Sequence, residues 1–367
     1  MTTPGARPLQ ALVLVGGQGT RLRPLTYDIP KPMLPIAGRP IIVRILEWLG
    51  RYGVTRAVLS LGYRPEPFIA AFPSGRVGAV ELAYAVEPEP LDTAGAIRFA
   101  AEQAGLLGER VVVVNGDVLT DLDLRELVSF HDVHGGSATI ALTPVEDPSA
   151  YGVVSSTAEG RVLAFIEKPP AGMAPSNLIN AGTYVLEPAA LAEIPGERRV
   201  SIEREIFPRL VAQGQLFAMA SPAYWIDTGT PERYRQAQFD VLCGSRPEVH
   251  LPEATETQPG VYLEAGARLL GEVRGRLLLG QGAVVAEGAC VTDSLLGAGV
   301  QVARGASISD SVLLSGAAIG AGALVSCSII GPDAVIGEGA VISGDTIIGA
   351  KTIVAPRARL DGARLTR

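Results

Sequence analysis

Branched apolar residues recur every six positions in the C-terminal third of this chain. Ile330, Ile336, Ile342, Ile348, Val354 and Leu360 form one series. Leu296, Val302, Ile308 and Leu314 form a second, and Leu279, Val285 and Val291 a third. One-residue slips join the blocks. Glycine and alanine fill the turn positions, as in Val335-Ile-Gly-Glu-Gly-Ala340. A period of six fits neither the helical period of about 3.6 nor the strand period of about 2. It fits short strands joined by tight turns and stacked coil on coil into a prism. The expectation for residues 261–367 is therefore a stack of coils with three hexads each.

Such a stack resembles the hexapeptide-repeat left-handed parallel β-helix, whose handedness is an exception to the usual crossover rule. Many proteins with this repeat are acyltransferases with a catalytic histidine. The histidines here, His131, His134 and His250, all lie outside the repeat. The stretch therefore reads as a structural and oligomerising module.

Upstream the pattern changes. Leu9 to Val15 reads as a buried strand ending at Gly16-Gly17, and Ile41 to Leu49 as a helix with Arg44 and Glu47 outward. Ala57 to Leu61 and Val80 to Val86 read as strands, Ala94 to Ala104 as a helix. Val111 to Val114 is all β-branched, the pattern of a strand buried on both faces. Strands alternating with helices predict an α/β domain over residues 1–243, a Rossmann-like, mostly parallel sheet with helices on both faces. Gly244 to Gly260 is polar, carries three prolines and reads as a linker.

Composition narrows the class. At 367 residues, with 47% hydrophobic and 19% charged residues, the chain can bury full cores. The net charge of −7 sits entirely in residues 1–259, because the remainder holds nine basic and nine acidic residues. No basic stripe with interleaved aromatics is present, which argues against nucleic acid as a partner. No apolar run approaches the roughly 20 residues of a membrane span. Met1 to Gln10 has no apolar core and does not read as a signal peptide. Three widely spaced cysteines, Cys243, Cys290 and Cys327, fit a reducing cytoplasm, and are expected to be small buried hydrophobes. Of the 31 basic residues only Lys31, Lys168 and Lys351 are lysine. Two of these stand in Pro30-Lys-Pro32 and Glu167-Lys-Pro169, which hints that both places need a compact ammonium.

Ligands of such sheets sit at the carboxyl ends of the strands, and the polar motifs follow strands. Gly16-Gly-Gln-Gly-Thr-Arg21 can bring backbone N–H groups close to an anion, and Arg21 can grip two phosphate oxygens. It is neither a Walker loop nor the dinucleotide fingerprint. Prolines on both sides of Lys31 stiffen the chain around the ammonium. Asn115-Gly-Asp117 closes a strand with a carboxylate suited to a hard divalent cation, and Trp225-Ile-Asp-Thr-Gly-Thr-Pro231 offers Asp227 as a second, just before a helix start at Pro231. Glu167-Lys168 and Asn180 add a carboxylate, an ammonium and an amide suited to a phosphorylated sugar.

Together these motifs resemble the sugar-nucleotide pyrophosphorylases, or nucleotidyltransferases, in order and over nearly the whole chain. Pro30-Lys-Pro-Met, Asn180-Ala-Gly-Thr-Tyr and Ser201-Ile-Glu-Arg-Glu-Ile-Phe-Pro208 point within that family to the mannose-1-phosphate guanylyltransferases. The resemblance implies transfer of a nucleotidyl group from a nucleoside triphosphate, GTP favoured, to a sugar 1-phosphate, with Mg²⁺ as cofactor and pyrophosphate released. Arg21, Lys31, Asp117, Lys168 and Asp227 are then the catalytic set, with Asp117 and Asp227 on the metal. Leu14, Gly16, Gly17, Gly19, Thr20, Arg21, Glu87, Asp92 and Thr93 would meet the nucleotide. Gly152, Glu167, Lys168 and Asn180 would meet the sugar phosphate. A homo-oligomer through the β-helix and a cytoplasmic location are expected.

The resemblance also places Glu87 against the base edge. A carboxylate can accept both guanine N1–H and the N2 amine, whereas thymine or uracil would suit a glutamine. Asp92 stands where the family has glycine, a departure that bears on base choice. Three alternatives stay open. They are a thymidylyl- or uridylyltransferase acting on glucose 1-phosphate, a non-catalytic regulatory subunit, and acyl transfer by the β-helix, which the missing histidine disfavours.

Overall fold

The computed structural model describes residues 9–62, 65–196, 198–246, 251 and 253–366. Contacts divide the chain into two compact units. One reaches to Gly17 and resumes over Ile42–Trp225; the other holds Gln18–Ile41 and the chain from Ile226 onward. His250 lies outside the described residues.

The first unit is built on a ten-stranded sheet. Its parallel half runs in the order Val80–Val86, Val54–Leu61, Leu9–Leu14, Val111–Asn115. Helices make the crossovers, Ile41–Arg51 between the first two strands in sequence and Asp92–Gln103 before Val111. The second half is mostly antiparallel, with Leu216–Ala220 added parallel to Ala138–Pro144. Leu178–Leu186 pairs with Val111–Asn115, and also with Ala138–Pro144 and Gly152–Ser156. Gly152–Ser156 also pairs antiparallel with Val162–Glu167, for a local reason: five residues join them, enough for a hairpin and too few for a helical crossover. Leu12, Val58, Ile97, Val113, Tyr184 and Phe207 share one buried core.

The register sets the chemistry. Leu14 lies opposite both Ser60 and Asn115, and Leu61 opposite Val86. Gly16, Gly62, Glu87 and Gly116 therefore leave the sheet at one edge, the carboxyl end of its parallel strands.

Two expectations fail. Arg44 is 6% exposed, because the helix Ile41–Arg51 is covered around most of its girth rather than on one face; a buried guanidinium is tolerated where it has an interaction partner, as this one does. None of the cysteines is buried: Cys243 is exposed at a helix end, and Cys290 and Cys327 are half-buried on the β-helix surface.

In the second unit the hexad residues line a continuous core, with Leu313 in the place expected for Leu314, and Leu279, Val285, Val291, Ile308, Ile330, Ile342 and Ile348 are at 0% exposure. Successive coils pair in parallel, and most repeat after 17 residues rather than the 18 of three full hexads; Val312 faces Ile329, and Ile329 faces Ile347 one residue later. One corner is thus a residue short. Buried Ser294, Ser311, Ser328 and Thr346 stack there. The Ser311 N–H donates to Ser294 Oγ at 3.2 Å and the Ser328 N–H to Ser311 Oγ at 3.1 Å. Each hydroxyl in turn donates to a carbonyl of its own coil. The column supplies acceptors for N–H groups that would otherwise be buried without partners. Ala254–Gln258 pairs antiparallel with Val261–Glu264 at the start of the stack.

The helix Pro231–Leu242 ties the segment 18–41 to the stack. Thr230 caps it through the Arg233 N–H. Tyr234 Oη and Gln238 Nε2 both donate to the Pro35 carbonyl, at 2.6 and 2.7 Å. Arg235 reaches the Cys327 carbonyl at 2.9 Å and the Asp345 carboxylate.

Candidate active site

The expected site residues fall into two groups, one in each unit. In the sheet unit, the turn after Val111–Asn115 is drawn tight by the Gly116 N–H donating to the Leu14 carbonyl at 2.8 Å. A Cβ on Gly116 would lie 2.7 Å from that carbonyl and collide with Val15, so only glycine fits and Asp117 is presented directly after it. Leu14 closes its strand beside this turn, and Gly16 and Gly17 follow with exposed backbone.

Glu87 is buried, 8% exposed. Its Oε1 accepts from Ser60 Oγ at 3.1 Å, and its Oε2 from the Leu91 N–H at 3.0 Å. The carboxylate rests against glycine backbone; a Cβ on Gly16 would stand 3.7 Å from Oε1 and one on Gly62 3.5 Å. Both oxygens are fixed by one bond each, and a carboxylate has about four acceptor positions, so lone pairs remain for a ligand.

Outside the β-helix the described non-glycine residues with positive φ are Ala37, Asp92 and Lys168, and two of these are expected site residues. Asp92, at φ 61, opens the helix Asp92–Gln103 and accepts the Thr93 N–H on its own Oδ1 at 2.8 Å. Aspartate tolerates the left-handed region through such local bonds. Lys168, at φ 52, has no such compensation of its own and is held by its N–H to the Tyr151 carbonyl at 3.0 Å. Strain of this kind concentrates at functional positions. Its ammonium stands 3.5 Å from Glu167 Oε1, and a Cβ on Gly152 would lie 3.1 Å from Glu167 Oε2. Gly152, Glu167 and Lys168 are thus brought together.

Asn180 sits at an irregularity in the pairing of Leu178–Leu186 with Ala138–Pro144, where the register slips between Asn180 and Tyr184. Its Oδ1 accepts the Gly182 N–H at 2.9 Å and its Nδ2 donates to Tyr184 Oη at 3.0 Å. Gly182 has φ 72 and leaves room for Asn115, whose Nδ2 would be 2.6 Å from a Cβ there. Trp225 Nε1 donates to the Ala181 carbonyl at 2.9 Å. Bulges of this kind re-aim side chains beside active sites. Burial pushes the Tyr184 phenol well above its ordinary pKa; the charges of Glu203, Glu167 and Asp117 add to this and the Asn180 bond opposes it.

In the second unit Gly19 has φ 59, and a Cβ on it would lie 3.1 Å from Lys31 Cβ. Thr26 Oγ1 locks the turn by donating to the Gly19 carbonyl at 2.8 Å. Thr20 and Arg21 follow on a short 3₁₀ turn with exposed side chains. Lys31 Nζ is 3.1 Å from Asp227 Oδ1, and Arg21 Nη2 is 3.6 Å from Asp227 Oδ2. Gly229 makes room for both: a Cβ there would meet the Arg21 guanidinium and lie 2.9 Å from Asp227 Oδ1. One carboxylate thus faces two cations.

Among the described residues no three histidine, cysteine or acidic side chains gather in one metal cluster. Single carboxylates such as Asp117 and Asp227 would suit a hard divalent cation that fills its shell with water and phosphate.

Sequence reasoning passed over Ser60, Tyr184 and Glu203. Ser60 had a signal, as the one polar residue in the apolar run Ala57–Leu61. Tyr184 and Glu203 stood inside quoted motifs without an assigned role.

The Nucleotidyl transferase family profile matches residues 10–243, and the GMPPB C-terminal domain matches residues 273–366. The chain is 39% identical over 286 residues to mannose-1-phosphate guanylyltransferase of Mycobacterium tuberculosis, covering 76% of this chain and 77% of that protein. It is 40% identical over 288 residues to the probable mannose-1-phosphate guanylyltransferase 1 of Oryza sativa subsp. japonica, covering 77% and 74%. Among solved structures it resembles HddC from Yersinia pseudotuberculosis complexed with GMP-PN, with 31% identity, a TM-score of 0.54 and coverage of 63% of this chain and 98% of that one. On this profile and these relatives, the chain belongs to the nucleotidyl transferase family.

Proposed function

We propose that this protein transfers the guanylyl group of GTP to mannose 1-phosphate, forming GDP-mannose and releasing pyrophosphate. The observation that carries the choice of base is the buried Glu87 carboxylate, anchored by Ser60 and Leu91 against Gly16. It is a paired acceptor for the two adjacent donors of guanine. The names of the relatives support the sugar.

The chemistry needs no catalytic base. A sugar phosphate has a second pKa of about 6 and is already close to doubly charged at pH 7. Its oxygen attacks the α-phosphorus in line while the bond to pyrophosphate breaks. Rate then comes from alignment and from neutralising charge. Arg21 and Lys31 grip the triphosphate and stabilise the leaving pyrophosphate, and the incoming phosphates release them from Asp227. Lys168 holds the attacking phosphate. Glu167, Asn180 and the Gly152 backbone orient sugar hydroxyls. Leu14, Gly16, Gly17, Gly19, Thr20, Asp92 and Thr93 border the nucleotide. Asp117 and Asp227 would hold Mg²⁺, which when bound supplies positive charge against the phosphate oxygens.

Residues 1–243 carry this chemistry in the proposal, 244–260 connect, and 261–367 assemble copies of the chain. Val335 and Ile353, neighbours on one β-helix face and 42% and 76% exposed, suit such contact. Among the described residues no helix is long and apolar enough to cross a membrane; a cytoplasmic enzyme is proposed.

The test is a panel of five nucleoside triphosphates against mannose and glucose 1-phosphates, read by pyrophosphate release. GTP with mannose 1-phosphate should give the highest kcat/KM. A preference for dTTP or UTP with glucose 1-phosphate would replace this reading.

A further inference from the structure

Glu203 lies on a single π-helical turn, Ile202–Ile206, a form that favours functional positions. One of its oxygens, Oε2, accepts two hydroxyls, from Thr93 Oγ1 at 2.7 Å and Ser201 Oγ at 2.8 Å. Thr93 Oγ1 in turn accepts the Ile202 N–H at 2.8 Å. Backbone bonds reinforce the junction. Val200 N–H donates to the Leu91 carbonyl at 3.0 Å, and Ala94 N–H to the Val200 carbonyl at 2.9 Å. The segments Leu91–Gly95 and Val200–Glu203 are thereby clasped, and Gly95 is needed because a Cβ there would lie 3.2 Å from the Arg198 carbonyl.

At one end of the clasp Leu91 donates to the Glu87 carboxylate, and Asp92 and Thr93 belong to the proposed nucleotide border. We infer that Glu203 is a positioning residue that holds the nucleotide turn through Thr93 and so sets the geometry of the GTP site. This rests on the site reading proposed above.

The test measures Kd for GTP and for mannose 1-phosphate by calorimetry, with pyrophosphate release in parallel. Glu203→Ala should weaken GTP about tenfold, the scale of losing hydrogen bonds to a charged group, and leave mannose 1-phosphate within about twofold. Thr93→Val should weaken GTP alone. The double variant should bind GTP no worse than Glu203→Ala, because both remove one clasp. Glu203→Gln, whose carbonyl still accepts two hydroxyls, should restore most of the GTP affinity. The inference is overturned if Glu203→Ala lowers only the melting temperature with the Kd for GTP unchanged, or if the GTP penalties of Glu203→Ala and Thr93→Val multiply. Weakened binding in the variants, with no turnover in the wild type, would uphold the clasp and remove the proposed reaction instead. Wild-type binding of neither ligand removes both.

Discussion

Lys31 Nζ lies 3.1 Å from Asp227 Oδ1, a pair formed across 196 residues of chain. The lysine is 5% exposed and Arg21 completes the cluster from the other carboxylate oxygen. A buried ammonium of this kind needs its partner, and the partner needs it. Any phosphate entering here competes with Asp227 for the same two cations. Lys31→Met should lower kcat/KM for pyrophosphate release by about 100-fold, the scale of losing one group that stabilises developing charge. Lys31→Arg should not rescue it, because the broad planar guanidinium does not reproduce a compact, buried ammonium 3.1 Å from Asp227. Steady-state assays of the two variants check this, and activity within a few-fold of wild type in either contradicts it.

Gly182 stands at φ 72 with Asn115 packed where a side chain would begin. Gly182→Ala should cost about 1–3 kcal/mol, combining backbone strain with overpacking. It should also displace Asn180 and so raise KM for the sugar phosphate more than for GTP. Denaturant melts and the two KM values test this; a larger effect on GTP would place the bulge elsewhere in the mechanism.

The hydroxyl column inside the β-helix makes a sharper stability prediction. Ser311→Ala leaves the buried Ser328 N–H without its acceptor, a loss of about 1–3 kcal/mol. An exposed control such as Val335→Ala should cost far less. Equal melting curves for the two variants would mean the column is not satisfying those N–H groups.

His131 gives a pH dependence. It is 1% exposed, bonded to Thr139 at 2.8 Å and Glu187 at 3.0 Å, with Arg110 and Asp132 nearby. Burial holds its pKa below the ordinary value, despite the opposing bond from Glu187. The unfolded chain therefore takes up the proton first. Stability from neutral His131 is fully present above its unfolded pKa of about 6.5 and declines as pH falls below it. His131→Asn should flatten the loss of stability between about pH 7 and 5. An unchanged slope would assign that loss to other groups.

Much of this was legible in the chain. The hexads declared the β-helix because each core residue faces inward at a fixed spacing, and Asn115-Gly-Asp117 declared its turn because the glycine is a steric necessity. The one-residue slips were legible in the hexad series, but the serine column at those corners was not, since it exists only when coils stack. Arg44 misled because helical periodicity reports one buried face and this helix is covered on most of its girth. The Lys31–Asp227 pair and the Glu203 clasp were hidden for the same reason: each joins segments far apart in sequence, and a single carboxylate carries no mark of its partner.

The central claim is that Asp117 and Asp227 support metal-dependent transfer to a sugar phosphate. Its most direct measurement is pyrophosphate release from GTP and mannose 1-phosphate, titrated with Mg²⁺, for the wild type, Asp117→Ala and Asp227→Ala. Wild-type turnover should rise from background to saturation with the metal, and each variant should stay folded by circular dichroism yet lose at least about 100-fold. A folded Asp117→Ala variant that turns over like the wild type at the same Mg²⁺ would contradict the account.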